Sequence, residues 1–180
     1  MAVKPVRPLI GTDIYLVPPT GEHGAAFIAA ARRSRALHRQ WISARPQSVA
    51  SYTSYIARFA SDVHYGFLIF DRRTSGLAGA VNLTDVMRGA MQSAFIFYFG
   101  FVPYTGRGLM KQALPLVARY SFSTLHLHRL EANIDPRNGA SIAIVRACGF
   151  TREGLARRFV KIRGRWRDHE RWAIIADDLR

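Results

Sequence analysis

The sequence predicts an α/β (α+β) fold, a mixed, mostly antiparallel central sheet of about seven strands flanked by helices. Three observations carry this. One strand-like segment near the start is followed by helical stretches, a block of three β-rich segments separated by turn signals fills the middle, and the remainder alternates helix, strand, helix and a last pair of strands. At 180 residues the chain fits one domain, residues 1–180, hiding roughly 70% of its unfolded surface. Any disorder is expected within the first ten residues.

Asp13 to Val17 alternates and stops at Pro18-Pro19, which reads as the first strand. Thr20 offers an N-cap to a helix running through Ala25, Ile28 and Ala31, and a second helical stretch surrounds Leu37 and Trp41. Ser48 caps a third, in which Val49, Tyr52, Ile56 and Phe59 recur at helical spacing and make one apolar face. Tyr65 to Phe70, Leu77 to Val86 and Ser93 to Val102 are rich in β-formers and are divided by Thr74-Ser75-Gly76 and Arg88-Gly89, an antiparallel meander. A helix from about Arg107 to Ser123 follows, then a strand from Arg129 to Ile134 and a helix from Ser141 to Cys148 that Gly149 can end in the left-handed conformation. Strands Phe150 to Ile162 and Arg165 to Ile175 complete the order. Pro115 falls inside the fourth helix, where proline costs about 3 kcal/mol, so a kink or a later helix start is expected.

Apolar residues make up 49% and charged residues 21%, which excludes a disordered or fibrous chain. The start has no apolar run of signal-peptide length and no window approaches a bilayer span, so the expected location is the cytoplasm, with no membrane partner. A single cysteine, Cys148, excludes an internal disulfide and gives no metal spacing; no metal is expected. Twenty-six Lys and Arg against twelve Asp and Glu give a formal charge of +14, which favours anionic partners such as phosphates, nucleic acid or the ribosome surface. The cations gather at Arg32, Arg33, Arg35, Arg39 and Arg45, and again at Arg152, Arg157, Arg158, Lys161, Arg163, Arg165, Arg167 and Arg171. A solvated face accounts for them equally well.

Between the third meander strand and the next helix lies Pro103-Tyr104-Thr105-Gly106-Arg107-Gly108-Leu109-Met110. Two glycines let the backbone turn sharply and come close to a ligand, and the aligned amides of a helix start suit a pyrophosphate. Arg107 and Lys111 could add charge to outer phosphates. The same pattern also serves as a plain tight connection, and it is neither a Walker loop nor a dinucleotide fingerprint. Asn138-Gly139-Ala140-Ser141, after Asp135-Pro136-Arg137, opens the next helix, with Asn138 a good N-cap.

Taken together, these motifs resemble the GCN5-related N-acetyltransferase (GNAT) superfamily, and within it the ribosomal-protein N-terminal acetyltransferases of the RimJ/RimL type. The resemblance runs from Leu77 to Ile174 and rests on Thr105-Gly-Arg-Gly-Leu-Met110, Arg129-Leu-Glu-Ala132, Asn138-Gly-Ala-Ser141, Gly149-Phe150, Glu153-Gly154 and Gly164-Arg-Trp-Arg-Asp168. Leu37 and Trp41 also resemble that group's early helices, and Val86-Met87-Arg88-Gly89 resembles its RimJ side. The resemblance implies the GNAT fold, acetyl-CoA as cosubstrate and a primary amine as acceptor, either a protein N-terminus or a small amine. It implies that pantetheine slots against the meander's last strand at Phe99 and Gly100, that the amides of Gly106, Arg107, Gly108, Leu109 and Met110 hold the pyrophosphate, that Asn138 bonds the pantetheine arm and that Ser141 lies near the sulfur.

The departures are informative. Thr105 stands where the superfamily has Gln or Arg, and Met110 where it has Gly or Ala, though only an amide is needed there. Val145 replaces the Tyr that protonates the leaving thiolate in many relatives, which leaves Ser141 as the candidate acid. Val160 replaces a Glu that acts as base in some members of the subgroup. Glu131 could serve as base through water, although a strand Glu among arginines also suits an ion pair. Asp168 and Glu170 share a face of the last strand with Trp166 and Trp172 and suit pairing with neighbouring arginines. A free α-amine ionises at about 7.7 to 8.0 against about 10.4 for lysine, so the lack of an evident base favours an N-terminal amine over lysine. Two other functions stay open: acetylation of a small amine or antibiotic, and a basic RNA- or ribosome-binding protein with a degenerate acetyl-CoA fold. The chain would act as a monomer or homodimer.

Overall fold

The computed structural model describes residues 7–41 and 46–179. Residues 1–6 of the stretch expected to be flexible, and Arg45 of the first basic group, lie outside them. The elements are β1 (Leu9–Ile10), β2 (Ile14–Val17), α1 (Gly24–Arg33), α2 (Arg35–His38), α3 (Val49–Ala57), β3 (Tyr65–Asp71), β4 (Leu77–Met87), β5 (Ser93–Gly100), α4 (Leu109–Ser123), β6 (Arg129–Ile134), α5 (Gly139–Ala147), β7 (Thr151–Ile162) and β8 (Arg165–Ile175). They build one sheet in the order β1-β2-β3-β4-β5-β6-β8-β7. Every neighbouring pair is antiparallel except β5 with β6. The strand beyond the expected seven is β1, two residues paired with Tyr15 and Leu16; so short a segment leaves no alternation to read.

Successive strand residues face opposite sides of the sheet, and each side has its own core. On one side Ala94 and Ile96 of β5, Leu130, Ala132 and Ile134 of β6, and Trp172 and Ile174 of β8 pack with α4 and α5. On the other, Leu68 and Phe70 of β3, Ala80 of β4, and Phe99 and Phe101 pack with Phe27 of α1 and Tyr52 and Tyr55 of α3. Phe27 is fully buried and meets Phe99 and Phe101 edge-on. Full burial of one such side chain is worth about 1.5–3 kcal/mol.

Three local expectations change. The buried face of α3 is Tyr52 and Tyr55, continued by Phe59, while Val49, the first residue of the helix, is 75% exposed. The α1 helix begins at Gly24, because Thr20 caps a short 3-10 turn over Gly21–His23 and donates its N–H to His23 Nδ1 at 3.0 Å. The α4 helix starts at Leu109, two residues later than Arg107, and still contains Pro115. Proline has no N–H for the carbonyl four residues back, that of Lys111, and the Cys148 thiol lies 3.7 Å from that oxygen as a replacement donor.

Candidate active site

The site begins with a gap in the sheet. β5 and β6 pair only over Ser93–Phe95 and Arg129–Glu131, although β5 continues to Gly100 and β6 to Ile134. On its other edge β5 stays paired with β4 as far as Gly100, and Phe101 N–H donates to Ala78 O at 2.7 Å. In an antiparallel ladder, bonded and non-bonded residues alternate. The same register therefore turns Phe97, Phe99 and Phe101 toward β4 and, beyond the last β5–β6 pair, leaves the backbone groups of Tyr98 and Gly100 on the open side. Of the two strand positions singled out in the sequence, Gly100 faces the gap with its backbone, whereas Phe99 is bonded to β4 and buries its ring with α1. The first helices hold this strand end in place: Gly100 O accepts from His38 Nε2 at 2.7 Å, and Val102 N–H donates to Ser34 Oγ at 3.0 Å.

Beyond the strand the glycine loop opens at the mouth of the gap. Gly106 and Gly108 have φ of 79° and 74°, a conformation costing an L-residue roughly 1–2 kcal/mol. A Cβ on either would meet no atom within 4 Å, so the loop surface is bare. Gly108 caps α4 without a side-chain bond, which leaves first-turn amides of Leu109 and Met110 without an intrahelical acceptor. Leu109 anchors the turn in the core, Lys111 is exposed, and the Thr105 methyl folds back over Gly100. Arg107 points elsewhere than expected: its guanidinium reaches Asp71 Oδ2 at 2.6 Å and lies over the Tyr104 ring. Asp71 also accepts from the amides of Arg73 and Thr74, while Tyr104 bonds Thr74 Oγ1 at 3.1 Å and packs where a Cβ on Gly76 would sit. The loop is thus clasped to the β3–β4 turn. Burial pushes the Asp71 carboxyl up, but the two amides, Arg107 and the Thr74 hydroxyl outweigh it and hold it below the usual carboxylate range.

Across the gap, α5 starts at Gly139 with Asn138 as its cap, Oδ1 accepting from Ser141 N–H at 3.2 Å. The Ser141 hydroxyl lies 2.6 Å from the Tyr98 hydroxyl, which also reaches Ser141 O at 3.1 Å. Burial raises the Tyr98 phenol well above its ordinary value, so it is a proton-bearing partner at neutral pH. Sequence reading missed Tyr98; the signal lay in the alternation of β5, which sends residues 94, 96 and 98 to the side where α5 packs. Val145 is fully buried in the core.

One cavity of about 970 Å³ joins both sides of the gap. Its wall on the side of the glycine loop and α5 includes Gly106, Gly108, Met110, Asn138 and Ser141; its opposite wall includes Leu37, Trp41, Phe97, Phe159 and His169. The two carboxylates lining it are both engaged. Glu131 accepts from Arg129 at 2.8 Å and Arg171 at 3.1 Å, and Asp135 accepts from Arg137 Nε at 2.9 Å. Arg137 bonds hold the Asp135 carboxyl low against the opposing effect of burial. Glu131 therefore sits in an ion-pair ladder that Arg129 extends to Glu153. Asp168 accepts from Arg158 N–H and Glu170 pairs with Arg152. Among the described residues no helix is long and apolar enough to cross a membrane, and no three of His, Cys, Asp and Glu gather to hold a metal ion.

Comparison with known proteins agrees with this geometry. The family model of the acetyltransferase (GNAT) domain matches residues 13–151. The chain is 44% identical over 126 residues to the probable N-acetyltransferase YjcK of Bacillus subtilis, covering 70% of each. It is 35% identical over 112 residues to the [ribosomal protein uS5]-alanine N-acetyltransferase of Escherichia coli, covering 62% of this chain and 58% of that one. Spermidine N(1)-acetyltransferase of Escherichia coli is 32% identical over 104 residues, 58% of this chain and 54% of that one. Among solved structures, Mycobacterium smegmatis RimJ in complex with CoA-disulfide superposes with a TM-score of 0.85 at 28% identity, covering 92% of this chain and 83% of that one. The splayed sheet, the bare glycine loop and these matches lead to one assignment: the chain belongs to the GNAT acetyltransferase family and is an N-acetyltransferase.

Proposed function

We propose that this chain transfers the acetyl group of acetyl-CoA to the α-amine at a protein N-terminus. The observation that carries the choice of acceptor is the state of the two carboxylates in the cavity: Glu131 and Asp135 both hold arginines, so neither is free to neutralise a polyamine. Much of that wall is aromatic and aliphatic, and Arg58 adds a cation to it, which suits a short N-terminal segment without further positive charge. The formal charge of +14 disfavours a polycation further. The likeness to the uS5-alanine enzyme supports the same reading, while the likeness to the spermidine enzyme keeps a small amine as the alternative to test.

The residues fit a CoA thioester. Open amides of Tyr98 and Gly100 would pair with the pantetheine arm, with the Asn138 side-chain amide beside them, and the amides from Gly106 to Met110 with Lys111 would receive the phosphates. Arg107 serves by holding the loop's shape. Acetyl-CoA supplies an activated acyl group. Bringing amine and thioester together makes the step effectively unimolecular, worth up to about 7–11 kcal/mol. An open strand amide, at Tyr98 or Gly100, would polarise the carbonyl oxygen, and Ser141, backed by Tyr98, would give the leaving sulfur its proton. The exposed cations at the β7–β8 hairpin, Arg157, Arg158, Lys161, Arg163 and Arg165, flank Phe159 at the cavity wall and would suit an acceptor carried on an anionic surface such as the ribosome.

Thiol release from acetyl-CoA, measured with peptides of differing N-terminal residue, lysine peptides with blocked N-termini and spermidine, tests the acceptor. N-terminal peptides are expected to show the highest kcat/KM. A preference for spermidine would overturn the reading.

A further inference from the structure

The carboxylates offer the site no free proton acceptor. The position at which some relatives carry a Glu is Val160, and both cavity carboxylates are held by arginines. One titratable side chain on the acceptor wall has no part in the mechanism so far. His169 on β8 is 6% exposed and lines the cavity. It is paired with Ala156 of β7, and two residues along β8 Arg167 is paired with Val160, so the imidazole projects from the same face one pleat away from the vacated position. Its Nδ1 lies 3.2 Å from Arg167 O. A carbonyl oxygen can only accept, so Nδ1 carries the hydrogen and the neutral ring keeps its lone pair on Nε2. Phe159 stands beside the ring, with centroids 6.2 Å apart. The charged groups around it are Arg167 and Arg171 on its own strand, Asp135 at the end of β6 with its Arg137, Arg157 and Arg158 in the adjoining bulge of β7, and Glu131, Arg58 and His38 in the cavity wall.

We propose that His169 Nε2 is the base that takes the proton from the incoming ammonium. The inference rests on the N-terminal acetylation reading above. The α-ammonium gives one proton to Nε2, and its freed lone pair forms the C–N bond as the C–S bond breaks. The nitrogen then sheds a second proton, matched by the one that sulfur receives through Ser141, and the proton on His169 returns to solvent, one per turnover.

The test compares wild type with His169→Gln and His169→Ala across pH. Without the base only the neutral amine reacts. The expected loss in kcat is therefore on the order of 10²-fold at pH 6.5 and shrinks steadily toward pH 9, above the α-amine's ordinary value of about 7.7 to 8.0. Added imidazole should restore part of the His169→Ala rate at pH 6.5, while CoA affinity by calorimetry and the thermal midpoint stay at wild-type values. A rate ratio equal at pH 6.5 and 9, or no loss at all, overturns the role. Should His169→Gln melt early, the imidazole response of His169→Ala decides. If wild type turns over spermidine and no peptide, the N-terminal reading fails and the same pH-dependent ratio, read on spermidine, still judges His169.

Discussion

Ser141 and Tyr98 form a hydroxyl pair 2.6 Å apart whose members are held by different elements, one by the first turn of α5 and the other by β5. Ser141→Ala is expected to lower kcat about 10²-fold, within the range for a positioned acid, with little change in KM for acetyl-CoA. Tyr98→Phe should cost less. The double variant should be no slower than Ser141→Ala alone, because Tyr98 acts through the serine hydroxyl. Steady-state thiol release measures all three; an undiminished Ser141→Ala rate removes the serine from the chemistry. Ser141 could be picked out in the sequence because it follows Asn138 in a helix start, whereas Tyr98 could not. Its partnership depends on which side of the sheet α5 packs, a fact settled by tertiary structure. His169 had a weaker signal in the alternation of the last strand, which sets it on the face opposite Trp166, Asp168 and Glu170.

At the scale of elements, the glycine loop is held by a turn more than thirty residues earlier in the chain, through Asp71 and Arg107. Because the folded Asp71 carboxyl ionises below its ordinary range, its contribution to stability is present at neutral pH and is lost as pH falls below about 3.9 and through the lower folded value. Asp71→Asn should therefore lower the thermal midpoint at pH 7, and the gap to wild type should shrink as pH falls below about 3.9; a gap of constant size across acid pH would refute the linkage. The same variant should raise KM for acetyl-CoA more than it lowers kcat. Gly108→Ala places a Cβ in a left-handed cap and should cost roughly 1 kcal/mol in stability, together with weaker CoA binding by calorimetry, although no neighbouring atom is crowded. The two glycines were plain in the sequence, and so was the burden that Pro115 places on α4. The clasp and the thiol of Cys148 near Lys111 O were not, since both join residues distant along the chain. Burial pushes that thiol up to about 11, so at neutral pH it keeps the hydrogen that the carbonyl needs.

For the whole molecule, period and turn chemistry were enough to lay out seven of the eight strands and the helix order, because each long element repeats its apolar pattern over several residues. The two-residue β1 and the gap between β5 and β6 were beyond that reading, the gap because it is a missing partnership rather than a pattern. The charge of +14 was visible in composition alone, but its placement was not: much of the arginine around the cavity is committed to Glu131, Glu153 and Asp135, and the hairpin cations are the exposed remainder. Reversing Lys161, Arg163 and Arg165 to Glu should leave kcat/KM for a short free peptide unchanged and reduce it for an acceptor presented on ribosomal particles, most strongly at low salt. Equal rates on particles at all salt concentrations would remove the hairpin from acceptor capture. The half-unpaired β5 also sets a rhythm in time. In deuterated solvent the free protein should exchange the amides of Tyr98 and Gly100 quickly and those of Phe97, Phe99 and Phe101 slowly, every second residue keeping a different clock, and a bound CoA should slow only the fast set, so that the strand itself records when the slot beside it is filled.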